Sequence, residues 1–283
     1  MAEPLSDTVV RAPAAPLAPY VEQYVGYRLL GFPAGLHRGV PSRHLTFIVS
    51  IGDPIDVVAQ TDPSQSPSSY RCVVGGLQAS HALISHRGDQ EGVEVELTPE
   101  GCRALLGLPA AALWNTSVEL DEVAARLGGE LWERLQATTD WASRFAVCDQ
   151  TLLGLLDRST AAPLAPELRR SWQLLTDSCG AVGVRDLAAE VGWSRQHLRR
   201  RFSEEFGLAP KLAGRVIRFD HARHTLQRVG QAVTIAEVAA ATGYYDQAHL
   251  HREFTEFAGC GPTELLAGDL PSVQDEATRL RAR

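Results

Sequence analysis

One stretch of this chain occurs twice. Leu187-Ala-Ala-Glu-Val-Gly-Trp-Ser-Arg-Gln-His-Leu-Arg-Arg-Arg-Phe202 returns as Val238-Ala-Ala-Ala-Thr-Gly-Tyr-Tyr-Asp-Gln-Ala-His-Leu-His-Arg-Glu-Phe254. The offset is 51 residues from Ala188 to Ala239 and from Gly192 to Gly243. It becomes 52 from Leu198 to Leu250, Phe202 to Phe254, Gly207 to Gly259 and Pro210 to Pro262. One residue is therefore inserted in the turn after the glycine, and the frame then holds. Such a repeat is a copied supersecondary unit.

The unit reads as helix, glycine-containing turn, helix. Leu187-Ala188 and Val238-Ala239 face inward, with alanine where two helices approach closely. Gly192 and Gly243 stand where a positive φ is cheap. Ser194 and Asp246 are good N-caps for the second helix. Leu198 and Phe202, like Leu250 and Phe254, are four residues apart and share a buried stripe. The outer face then carries Arg195, Gln196, Arg199 and Arg200 in the first copy. In the second it carries Gln247, Ala248, His251 and Arg252. Most of these side chains can donate to base edges or phosphates.

With Arg218, Ala222, Leu226, Ile235, Gly243-Tyr244, Arg252-Glu253-Phe254 and Pro262-Thr263 at fixed spacing, residues from about 170 to 267 resemble the DNA-binding domain of AraC/XylS-type transcriptional regulators. The resemblance implies two helix-turn-helix units joined by a long central helix over about Pro210 to Val229. It implies that the two second helices enter successive major-groove segments on one face of the duplex. Base-facing positions then fall on Gln196, Arg199 and Arg200, and on Gln247, Ala248, His251 and Arg252. The sequence departs from the pattern at Leu212, where the family often has an aromatic. Ala248 is too short for a hydrogen bond to a base, although its methyl can touch thymine. The first unit is therefore expected to supply more of the base discrimination.

A net charge of −7 argues against a nucleic-acid partner only while the chain is taken whole. Residues 1–168 hold 11 Arg against 20 Asp plus Glu, a balance of −9. Residues 193–228 hold 9 Lys plus Arg against 3 acids, a balance of +6. Phosphate contact depends on local cations, and these are concentrated on the first recognition helix and the central helix. Five scattered cysteines without Cys-x-x-Cys spacing suit free thiols in a reducing compartment. No secretion signal and no apolar run near 18 residues is visible, so a cytoplasmic, nucleoid-associated protein without a membrane partner is expected.

The chain is twice a typical domain, and the organisation expected is α+β. Residues 1–19, rich in Ala and Pro, read as a flexible arm. Residues 20–160 read as an effector-binding or dimerisation domain, β-rich over 20–98 and helical over 99–158. Leu45–Ile51, Ile55–Val58, Tyr70–Val74, Ala82–Ser85 and Gly92–Leu97 are the predicted strands of a small barrel or sandwich. In the last, Val93, Val95 and Leu97 alternate with Glu94 and Glu96, which predicts one wet face. Thr98-Pro99-Glu100 predicts a helix start, and Asp140 to Leu156 a longer amphipathic helix. Residues 161–168 read as a linker, 169–268 as the all-α DNA-binding domain with its two helix-turn-helix units, and 269–283 as a tail. The β-then-α layout is similar to the cupin-like N-terminal half of AraC-type regulators, notably actinobacterial members, through Pro41–Thr46 and Asp53-Pro54.

Sharper chemistry finds little support. His37, His44, His81 and His86 lie in the β region, but a cupin metal site wants His-x-His followed by Glu, and no such pair precedes residue 249. His249 and His251 point to different faces of a helix. Arg38, Arg43 and His44 are read as ordinary loop charges rather than an anion site. A DNA-repair methyltransferase would need a Pro-Cys-His context, which none of the five cysteines has. Cys260 is expected to be a turn or core thiol. Trp114, Trp132, Trp141 and Trp172 are assigned to packing, with a dimer interface as the alternative for some of them. No hydrolase elbow, phosphate loop or dinucleotide fingerprint occurs, so neither an enzyme nor a cofactor or metal is expected.

The expectation is a sequence-specific regulator with double-stranded DNA, RNA polymerase and a second copy of the chain in a homodimer as partners, and a small-molecule effector at the N-terminal half. The alternatives are an N-terminal half that only dimerises or docks a protein, and a DNA-targeted cupin-type enzyme.

Overall fold

The computed structural model describes residues 4–267; the tail expected at 269–283 lies outside the described residues. The N-terminal half is built on two antiparallel sheets. Ten strands form them: β1 (Leu5–Arg11), β2 (Val21–Leu30), β3 (Gly35–Gly39), β4 (Leu45–Ser50), β5 (Ile55–Ala59), β6 (Ser68–Tyr70), β7 (Cys72–Gly75), β8 (Ala82–His86), β9 (Gln90–Leu97) and β10 (Ser117–Glu119). The larger sheet runs β1-β2-β9-β4-β7-β10 and the smaller β3-β8-β5-β6. Helices α1 (Pro99–Leu106), α2 (Leu120–Val123), α3 (Leu127–Gln136) and α4 (Trp141–Arg158) complete this half. Thr98 caps α1 by accepting from the Gly101 amide, with Pro99 at the first helical position, as its sequence predicts.

The larger sheet has two different faces. Leu45, Phe47, Val49, Val93, Val95 and Leu97 join Leu131, Phe145 and Leu152 of the helices in the main core. The opposite face, with Ile48 and Val73, turns toward Ile55, Val57 and Ala82 of the smaller sheet. The wet face predicted for β9 is therefore corrected: Glu94 is only 2% exposed. Alternation along a single strand reveals that its faces differ, but a polar face can be roofed by another sheet.

Two further expectations change, and one strand was missed. The arm at 1–19 is not loose over its described part. Residues 5–11 pair with β2 in unbroken register from Leu5↔Leu30 to Arg11↔Tyr24, and Leu17 is fully buried. Its Ala and Pro content conceals a sheet edge that supplies backbone partners from outside the segment. The helical stretch 99–158 is interrupted by β10, which pairs with β7. The strand β2 escapes periodicity because residues 23–27 are buried on both sides.

Residues 159–165 have no regular structure, yet Leu164 is buried within the main core. The C-terminal half then runs α5 (Pro166–Asp177), α6 (Val184–Glu190), α7 (Arg195–Phe206), α8 (Pro210–Val229), α9 (Ile235–Ala241), α10 (Gln247–Ala258) and α11 (Pro262–Leu266). Leu187, Ala188, Leu198, Phe202 and Phe206 belong to the same core as the sheet. Val238, Ala239, Leu250, Phe254 and Phe257 form a separate core with Phe219 and Leu226 of α8. No helix among the described residues is long and apolar enough to cross a membrane.

Candidate nucleic-acid interface

The repeat becomes a repeat of structure. Helix α9 follows α6 at 51 residues and α10 follows α7 at 52. Gly192 and Gly243 both turn the chain at positive φ, +69° and +77°. Ser194 accepts from the His197 amide at 3.2 Å, and Asp246 from that of His249 at 2.7 Å. These caps begin the two second helices where the sequence places them. Leu187, Leu198 and Phe202 are inaccessible, as are Ala239 and Leu250, so each unit's outer face is fixed by what its inner face buries.

On α7, Arg195, Gln196, Arg199 and Arg200 are all exposed. Arg200 is tethered to Glu204 at 3.0 Å, one turn on. Among the described residues Arg195 and Arg199 have no carboxylate partner. They border an open cleft of about 880 Å³ between α7 and the start of α8, where Lys211 and Arg215 also lie. On α10, Gln247, Ala248 and Arg252 are exposed, whereas His251 is half-buried against the Gly261 turn. Only the first copy thus presents a cationic groove. The second presents amide, methyl and one guanidinium.

Sequence reasoning missed Tyr245, 92% exposed in the turn before α10. It is the residue inserted between the two copies, so the shift from 51 to 52 already pointed to it. Lys211 and Arg215 were likewise legible only as members of a basic stretch until α8 set them beside α7.

Each unit is held differently. Arg215 donates from Nε to Glu253 at 2.7 Å and Arg218 from Nη2 to the same oxygen at 3.3 Å, fastening α10 to the central helix. Arg218 also lies 5.0 Å over the Tyr244 ring. Helix α7 is instead fastened to the N-terminal half. Arg103 of α1 donates to Glu205 at 2.7 Å, and Trp114 packs on Gly207, where a Cβ would come within 2.6 Å of it. Within the C-terminal half, Trp172 of α5 stacks on Phe202 and lies tilted against Phe206. On the second unit, His81 packs on Gly259, and Arg38 reaches Glu264 at 3.1 Å. The N-terminal half therefore touches the C-terminal end of both recognition helices.

Four of the five thiols are buried. Burial pushes Cys72, Cys102 and Cys148 up to about 12, and Cys260 is buried beside the second unit.

Residues 187–268 match the family model described as "Helix-turn-helix domain". This segment is an AraC-type helix-turn-helix domain. One curated relative is an HTH-type transcriptional regulator, YbfI of Bacillus subtilis (strain 168), 35% identical over 69 residues, 24% of each chain. Another HTH-type regulator, from Staphylococcus aureus (strain MSSA476), is 28% identical over 94 residues, 33% of this chain and 12% of the relative. The chain thus spans well under two thirds of these relatives. Over nearly the whole length, the fold is similar to that of ToxT from Vibrio cholerae O395 bound to (E)-4-(8-methylnaphthalen-1-yl)but-3-enoic acid. The TM-score is 0.50 at 13% identity, covering 92% of this chain and 98% of that one.

Proposed function

We propose that the protein is a sequence-specific, DNA-binding transcriptional regulator controlled by a small molecule at its N-terminal domain. Its two helix-turn-helix units read successive major-groove segments, α7 through Arg195, Gln196, Arg199 and Arg200, and α10 through Gln247, Ala248, His251 and Arg252. The observation that carries this reading is the cationic groove on the first unit. Arg195 and Arg199 stand exposed, follow the Ser194 cap, and have no carboxylate partner among the described residues, unlike Arg200 and Arg201. Guanidinium groups held in this way suit guanine edges, and Lys211 at the groove suits phosphate.

Control would act through the contacts of the N-terminal half with both recognition helices. A ligand that changes how Trp114 and His81 seat on α7 and α10 changes the relative presentation of the two units. The chain functions in this account as a homodimer that contacts RNA polymerase. That ToxT is described in complex with a small organic acid, and that the matched relatives are described as transcriptional regulators, favours the same reading. Fluorescence anisotropy against duplexes selected from a random pool tests the DNA function: preference for one sequence over random duplex supports it, and equal affinity for all refutes it. Thermal shifts against a broad metabolite library test the effector, because a ligand of the native state must raise the melting temperature.

A further inference from the structure

We propose that Tyr245 is a base-reading residue of the second unit, its ring packing on the 5-methyl group of a thymine in the major groove. This deepens the preceding proposal and rests on its reading that α10 enters DNA. Tyr245 lies in the turn between Gly243 and α10, directly before the N-cap Asp246. It is 92% exposed; the next large hydrophobic side chain among the described residues, Leu36, is at 60%. Single apolar residues scattered over a surface are ordinary. What sets Tyr245 apart is its place, at the N-terminal end of a recognition helix, where base edges are met.

The packing role in this turn belongs to Tyr244. That ring is 5% exposed, meets the His249 ring edge-on at 5.1 Å and lies under the Arg218 guanidinium at 5.0 Å. The Tyr245 side chain has no ring contact and no hydrogen bond among the described residues. Its backbone, however, is held. The Tyr245 amide donates to Nδ1 of His249 at 3.4 Å, and the adjoining Asp246 carboxylate accepts from the His249 amide at 2.7 Å. The ring is thus presented from a built turn. Ordering it costs little, because a tyrosine has only two side-chain torsions to fix.

The neighbours select the contact. In the first unit the cap is Ser194 and the helix opens with Arg195. In the second the cap is the acidic Asp246, and no lysine or arginine follows before Arg252, six residues on. A phosphate at this end of α10 would meet a carboxylate and no such cation. A methyl group meets apolar surface instead, and thymine alone presents one in the major groove. The exposed Ala248, in the first turn of α10, adds its own methyl to that surface. The second unit thereby gains an apolar means of reading where the first uses guanidinium donors.

The test uses the full chain and the duplexes it selects from a random pool. The block that broadens in Gln247→Ala is the one read by α10, and it should hold an enriched thymine. Tyr245→Ala should lose about five- to tenfold in affinity for that duplex, with the parent's melting temperature. Tyr245→Phe should bind within about twofold of the parent. Deoxyuridine in place of that thymine removes one methyl, and should cost the parent about fourfold and Tyr245→Ala nothing. An equal cost to both, or parental affinity in Tyr245→Ala, would overturn the proposal. A loss in Tyr245→Phe as large as in Tyr245→Ala, uniform over all duplexes and with a shallower salt dependence, would make the hydroxyl a phosphate contact and overturn the thymine assignment. A second block without thymine would sink this proposal alone, whereas no selection by the parent would sink the DNA reading itself.

Discussion

The two helix-turn-helix units share a frame and little else. In the first, the buried stripe of α7 merges with the core of the β-domain, through Trp172, Phe202 and Phe206. In the second, α10 closes a core of its own against Phe219 and Leu226 of α8. The first places the exposed Arg195 and Arg199 over a cleft, while the second turns its acidic Glu253 inward to grip Arg215 and Arg218. Duplication preserved the positions that set backbone and packing: glycine turn, N-cap, and apolar residues four apart. It left the outer faces to diverge. The unit with the stronger cationic face is also the one most firmly attached to the domain proposed to sense a ligand.

The largest effects should separate the cores. Phe202→Ala and Phe254→Ala each empty a fully enclosed site and should cost about 3–5 kcal/mol. Calorimetry and hydrogen exchange should show Phe202→Ala lowering the transition of the β-domain, and Phe254→Ala loosening only α9 to α11. A loss of protection in the β-sheets with Phe254→Ala would break the comparison. Next comes Arg103→Ala, which leaves the 7%-exposed Glu205 without its ion pair and should cost about 2–3 kcal/mol. Equal melting temperatures for variant and parent would show that α7 is not tethered there.

On DNA, Arg199→Ala should lose about 1–3 kcal/mol and relax preference at one base pair. Gln247→Ala should lose less, since the second unit has the weaker donors. Titration of both variants against one selected duplex decides this, and a larger loss for Gln247→Ala would reverse the ranking of the units. The smallest effect belongs to Arg38→Ala. Its partner Glu264 is 63% exposed, and the change should stay within about 0.5 kcal/mol by denaturant unfolding. A larger loss would mean that the second unit is bound to the β-domain as tightly as the first.

The repeat made the C-terminal half legible. Its 51-to-52 shift located both glycine turns and both N-caps before any coordinates were needed. These are local features, decided within one or two helical turns. The N-terminal half hides more because its decisive pairings are distant. Residues 5–11 look like a loose arm until β2 lies beside them, and Glu94 looks solvated until the smaller sheet covers it. The clamps on α7 join Arg103 to Glu205, 102 residues apart, and Trp114 to Gly207, 93 residues apart, and no periodicity encodes them. On α7 the four residues that the sequence placed on the outer face are exposed, and so are His197, Arg201 and Glu204. The sequence could not tell that Arg200 is occupied by Glu204 or that His251 leans on the Gly261 turn.

The central claim is that both copies read DNA, the first more stringently. Selection of bound duplexes from a random pool by the full chain addresses it most directly. The account predicts two short blocks of preferred sequence about one helical turn apart, the more restricted of which broadens in Arg199→Ala. A single block unaffected by substitutions in α10, or no enrichment over random duplex, would contradict it.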